Sequence, residues 1–148
     1  MLLIFGFLFM VFALIAAEGI LMGSPEFFID LPSILIIFIP LIFFLLVSKS
    51  GKIIGRYIVS SFKKGHIYTG EELESLSAAV KNTIKFILAT GAFGVLVGAV
   101  ACLAFIGAKE RLGPNLAICF TTLTYSITLS FFVFFPLQAW AENKINNT

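Results

Sequence analysis

The chain of 148 residues is 59% apolar and 12% charged, with a formal net charge of +2 and a mean hydropathy of +1.07. Soluble domains carry about 25% charged residues, so the composition excludes an ordinary soluble domain and predicts an integral membrane protein. The small net charge leaves no nucleic-acid footprint, and neither Cys102 and Cys119 nor the single histidine, His66, has the spacing of a metal site.

Residues 2–22 form the first apolar run, long enough for a bilayer that takes about 20 residues to cross. It lacks a basic n-region and an A-x-A pattern, and so reads as a retained span rather than a signal peptide. Glu18, near its end, reads as a solvated boundary carboxylate. The following turn holds Pro25, Glu26 and Asp30 but no Lys or Arg. A second span covers 31–48, and Pro40 in its middle predicts a kink.

Residues 49–82 are the only sizeable polar segment, with Lys49, Lys52, Arg56, Lys63, Lys64 and Lys81 against Glu71, Glu72 and Glu74. Ile53, Ile54, Tyr57, Ile58 and Phe62 predict an amphipathic helix that continues past the membrane and ends at Lys64-Gly65-His66. Thr69-Gly70-Glu71-Glu72 has the pattern of a capping box opening a new helix. That helix leads into a third span at 84–107, with Lys85 snorkelling at its edge. Gly91, Gly94, Gly98 and Ala101 share one face, and such small residues let membrane helices approach closely.

A tight turn over 108–114 precedes the fourth span, 115–140, which ends past Pro136 at the interfacial Trp140. Seven hydroxyl side chains fall on this last helix. Thr121, Thr124, Tyr125 and Thr128 form one row, and Thr122, Ser126 and Ser130 a second beside it. Such hydroxyls either bond to carbonyls of the preceding turn or face other helices or a water-filled path. Seven in two adjacent rows favours the second use.

The fold class expected is an all-α membrane protein, one domain over 1–148 with four transmembrane helices. The Lys and Arg excess of 49–82 places that loop and both termini in the cytoplasm. No enzyme motif is present. Nor is there a carboxylate within the third and fourth spans, so an ion path built on them needs a partner that brings the acid.

Three stretches resemble the MotA/TolQ/ExbB proton-channel family, and its MotA-like branch in particular. Phe28-Ile29-Asp30-Leu31-Pro32-Ser33 is similar to the FIDxPS opening of that family's second span, and Gly91-Ala92-Phe93-Gly94 to its PAFG stretch. Leu112-Gly113-Pro114 with Ala117, Thr122, Tyr125 and Pro136 matches its LGPxxA fourth-span pattern without a gap. The resemblance implies a bacterial inner-membrane subunit of an ion-driven rotary motor, a homopentamer around two single-span helices of MotB, TolR or ExbD type. The partner's intramembrane Asp would carry H+ or Na+, with no cofactor and no catalytic or metal residue on this chain. Thr121, Thr122, Thr124, Tyr125, Ser126 and Thr128 would line the ion path. Gly91, Gly94, Gly98 and Ala101 would pack around the partner, and Asp30, Pro32 and Pro114 would act as periplasmic-side hinges. The chain departs from the pattern at Gly91, Gly98, Leu123 and Ile39-Pro40, and its cytoplasmic loop is far shorter than in flagellar MotA, which leaves a rotor contact open. The competing expectations are a non-conducting four-span scaffold or assembly protein and a small stand-alone transporter.

Overall fold

The structure, a computed structural model, describes residues 5–6, 8–9, 11–13, 16, 30–61, 68–107 and 109–147. Those of 5–16 are helical; the rest of the first span, Glu18, the turn before Asp30, and Lys63 to His66 lie outside the described residues. Everything else described is helix and short connection: α1 Leu31–Val47, α2 Lys49–Ser61, α3 Gly70–Ala104, α4 Lys109–Leu129 and α5 Phe135–Asn146. A π-helical turn, Ser130–Phe134, joins α4 to α5 without a break. Two continuous helices, Gly70–Ala104 and Leu112–Asn146, are each long and apolar enough to cross a membrane. The bent pair α1–α2 is a third candidate.

Asp30 starts α1. Its carboxylate accepts from the Ser33 amide at 2.9 Å, and Pro32 sits in the first turn, where a missing N–H costs nothing. The helix runs through Pro40 to Val47 as one element. Ser33, Ile37 and Leu41, four residues apart, are its buried face, while Leu35, Ile39, Phe43 and Leu46 point outward as a lipid-facing surface would. Ser48 then adopts an extended conformation, and its hydroxyl caps the next helix by accepting from the Gly51 amide at 3.1 Å. The predicted amphipathic helix is therefore present, but it turns through 87° instead of continuing the span. Gly51 allows this corner, because a Cβ there would collide with the Leu45 carbonyl.

The capping box is formed as read from the sequence. The Glu72 amide donates to Thr69 Oγ1 at 3.4 Å and the Thr69 amide to Glu72 Oε2 at 3.2 Å. From there α3 runs 35 residues, about 50 Å at 1.5 Å per residue. The expected turn over 108–114 is instead the first part of a helix, since α4 already begins at Lys109 with Pro114 inside it. Pro114 deprives only the carbonyl of Glu110, which lies in the first turn beside exposed surface. Pro136 is handled differently. It offers no N–H to the Phe132 carbonyl, and the π-helical turn just before it widens the ladder, with the Phe135 amide reaching back to Ser130. Gly6 lies against that same Phe132 carbonyl, closer than any Cβ could.

The apolar core fills the half of the bundle nearer α2. Ile37 and Leu41 of α1, Ile54 of α2, Val80 and Ile87 of α3, and Leu137 of α5 pack there. Phe44 stacks on Phe86 with ring centroids 4.3 Å apart. At the end of the bundle Tyr57, Tyr68 and Trp140 form an aromatic cluster, with Lys144 Nζ 5.3 Å from the Trp140 ring.

Candidate functional site

The other half of the bundle is polar at its centre. There α3 and α4 cross antiparallel, and Gly91, Gly94, Gly98 and Ala101 of α3 each meet a defined residue of α4. A Cβ on Gly91 would strike Ser126, one on Gly94 would strike Thr122, and one on Gly98 would strike Cys119. One further step on, Asn115 Nδ2 donates to the Ala101 carbonyl at 3.3 Å. The glycine face expected to pack around a partner is thus filled by the chain's own α4. Its small residues are the complement of the side chains at 115, 119, 122 and 126, which recur at the same three- and four-residue spacing.

α1 joins this crossing through its only buried hydroxyl. Ser33 Oγ donates to Asp30 Oδ2 at 2.5 Å, and lies 2.9 Å from Thr122 Oγ1 and 3.3 Å from the Ile118 carbonyl. Thr122 Oγ1 in turn donates to the Ile118 carbonyl at 2.6 Å. Ser33, Thr122 and Ser126 are each at 0% exposure. Each hydroxyl has one proton: with Ser33 donating to Asp30, the single Thr122 proton is shared between Ser33 Oγ and the Ile118 carbonyl, and the line from the Asp30 carboxylate into the interior holds α1 against α4. Asp30 caps α1 and orients Ser33. Pro32 and Pro114 both sit inside helices, near their first turns.

The hydroxyls expected to form one sector divide in two. Thr122 and Ser126 face α3 and are sealed, with Ser126 donating to the Leu123 carbonyl at 2.8 Å. Ser130, in the π-helical turn, is buried too, and its Oγ has no hydrogen-bond partner among the described residues. The row of Thr121, Thr124, Tyr125 and Thr128 is less sealed, and its Tyr125 packs against the apolar core. Thr121 is buried, but Thr124, Tyr125 and Thr128 are only half-buried. Thr124 donates to the Phe120 carbonyl at 2.8 Å and Thr128 to the Thr124 carbonyl at 2.6 Å. Back-bonding of this kind satisfies a hydroxyl proton and leaves the oxygen lone pairs available to something beyond the helix.

Sequence reading missed Ser33 and Asn115 as members of this site. The signal was present for Ser33, a lone hydroxyl in an apolar helix three residues after an acidic cap. From the end of Lys85 through α3, and from Leu112 through α4 to the end of its π-helical turn, the sequence holds no carboxylate, Lys, Arg or His. Among the described residues no group of His, Cys, Asp and Glu could hold a metal ion.

Comparison with protein-family models, with curated proteins and with solved structures gives no match.

Proposed function

We propose that this chain is the membrane subunit of an ion-driven, stator-type rotary channel. In this reading several copies, five by the resemblance, ring two single-span partner helices of MotB, ExbD or TolR type in a bacterial inner membrane. The partner's intramembrane Asp carries H+ or Na+. The observation that supports it best is the pair Thr124 and Thr128, which the chain's own helices leave half-buried. Lipid gives such a pair no use, and an ion passing a partner carboxylate does. The motif likeness of 28–33, 91–94 and 112–136 supplies the partner type. Purification of the complex with the products of neighbouring genes tests it. A five-fold ring retaining a single-span, Asp-bearing protein is the expected result, and a monomer without such a companion refutes it.

A second reading, a non-conducting membrane scaffold, is favoured by one specific observation: Thr122, Thr124, Ser126 and Thr128 all bond to carbonyls of their own helix. It requires that Thr124 and Thr128 be replaceable by Val with no loss of any activity of the assembled complex.

A further inference from the structure

The helix α2 is not used by the reading above, and its surface is organised. Ser50 and Ile54 are buried, while Ile53, Tyr57 and Ser60, with Arg56 at the rim, line a cleft against the first turns of α3, where Glu71 and Glu72 lie. At about 100° per residue, Gly55, Ile58 and Val59 fall on the flank opposite that cleft; Ile58 is 40% and Val59 61% exposed. Lys49, Lys52 and Arg56 occupy the outward strip between the two flanks. All three are exposed.

Depth follows from the packing. The charge-free part of α3 begins at Phe86, level with Phe44 of α1. Ile54 of α2 belongs to one core cluster with Leu76, Ala79 and Val80. Val80 lies six and Leu76 ten residues before Phe86, about 9–15 Å along the helix, which sets the axis of α2 at the outer side of the headgroup layer, roughly 5–8 Å deep. The right-angle corner at Ser48 turns α2 away from the direction of span α1, and the flank opposite the cleft is the one nearer the bilayer. The aromatic cluster of Tyr57, Tyr68 and Trp140 beside it is the composition expected at that level.

We infer that α2 is an interfacial helix whose Lys49, Lys52 and Arg56 bind the phosphates of anionic phospholipids, with Gly55, Ile58 and Val59 turned toward the bilayer. An in-plane helix with one protein-packed face, one aliphatic flank and a cationic strip is the arrangement that an anionic bilayer surface recognises. The α2 cations would then anchor the corner at Ser48 and hold α1 against the crossing with α3 and α4.

Trp140, the single tryptophan of the chain, sits 5.4 Å from Tyr57 of α2 and serves as the energy-transfer donor. The full chain is reconstituted in nanodiscs carrying a trace of headgroup-labelled acceptor lipid, either anionic or zwitterionic. Each cation at an anionic surface contributes about a fivefold preference at low salt, so the expected enrichment of the anionic label near Trp140 is tenfold or more. The Lys49→Gln/Lys52→Gln/Arg56→Gln variant should bring it below about twofold, and the charge-preserving Lys49→Arg/Lys52→Arg/Arg56→Lys variant should restore it. Equal transfer from both labels in the wild-type chain overturns the inference, as does a preference that survives the triple Gln variant. Inorganic phosphate, compared with chloride at equal ionic strength, separates a lipid site from a free-phosphate site. A loss specific to phosphate assigns the cations to the free ion and overturns the lipid reading.

Discussion

Gly94→Ala is the most incisive perturbation of the crossing. The added methyl would collide with Thr122 Cγ2 and lie 3.0 Å from Thr122 Cβ and 3.2 Å from Ile36 Cγ2. Thr122 cannot simply turn aside, because its hydroxyl is held by Ser33 and by the Ile118 carbonyl. Overpacking of this kind costs about 1–3 kcal/mol. Losing an interhelical hydrogen bond within a membrane protein adds roughly 0.6 kcal/mol. Against this stands a gain of up to about 1 kcal/mol in helix propensity. The net expectation is a destabilisation of about 1–2 kcal/mol. Reversible unfolding in mixed detergent micelles measures it on the single chain, with no partner or ring needed. Adding Thr122→Ser removes the offending methyl but keeps the hydroxyl, so Gly94→Ala/Thr122→Ser should recover most of the loss. A Gly94→Ala chain as stable as wild type would falsify the intrachain assignment of the glycine face, and failure of the Ser rescue would place the clash elsewhere.

The remaining predictions probe other parts of the chain. Thr124→Val/Thr128→Val should lower ion flux through the assembled complex by about tenfold or more, a loss of more than about 1.4 kcal/mol, with chain stability nearly unchanged; undiminished flux in a proteoliposome assay removes these residues from the path. Thr69→Ala should cost about 1 kcal/mol and speed amide exchange selectively in the first turn of α3, so exchange that is unaltered at 70–73 would mean the cap contributes nothing. Ser130→Ala deletes a buried hydroxyl that has no partner among the described residues. It should therefore be neutral or stabilising by up to about 1 kcal/mol, and a clear destabilisation would reveal a bonding partner for Ser130.

The glycine crossing and the two hydroxyl rows have different consequences for the proposed function. Sealing Gly91, Gly94 and Gly98 under α4 makes α3 and α4 one rigid pair, so a ring of such chains would be assembled from pre-packed hairpins. In the proposed assembly the half-buried Thr124–Thr128 flank would face the central partner. The line Asp30–Ser33–Thr122 ties α1 to the same pair.

Local chemistry made much of the fold legible in the sequence. Thr69 and Glu72 announce the start of α3 because a cap is satisfied within four residues. Asp30 and Pro32 announce α1 for the same reason, and long charge-free runs announce helices whose backbone groups must pair internally in lipid. The three- and four-residue recurrence of Gly91, Gly94, Gly98 and Ala101 marked a close-packed face without naming what packs on it. That choice was tertiary: only the antiparallel register of α3 on α4 sets Gly94 against Thr122 and not against another chain, because a helix face is fixed by spacing but its partner by shape. The corner at Ser48 was equally hidden. An amphipathic pattern reads the same whether a helix continues a span or lies across it, and the direction is decided by where Ile54 finds Leu76, Ala79 and Val80 to pack against.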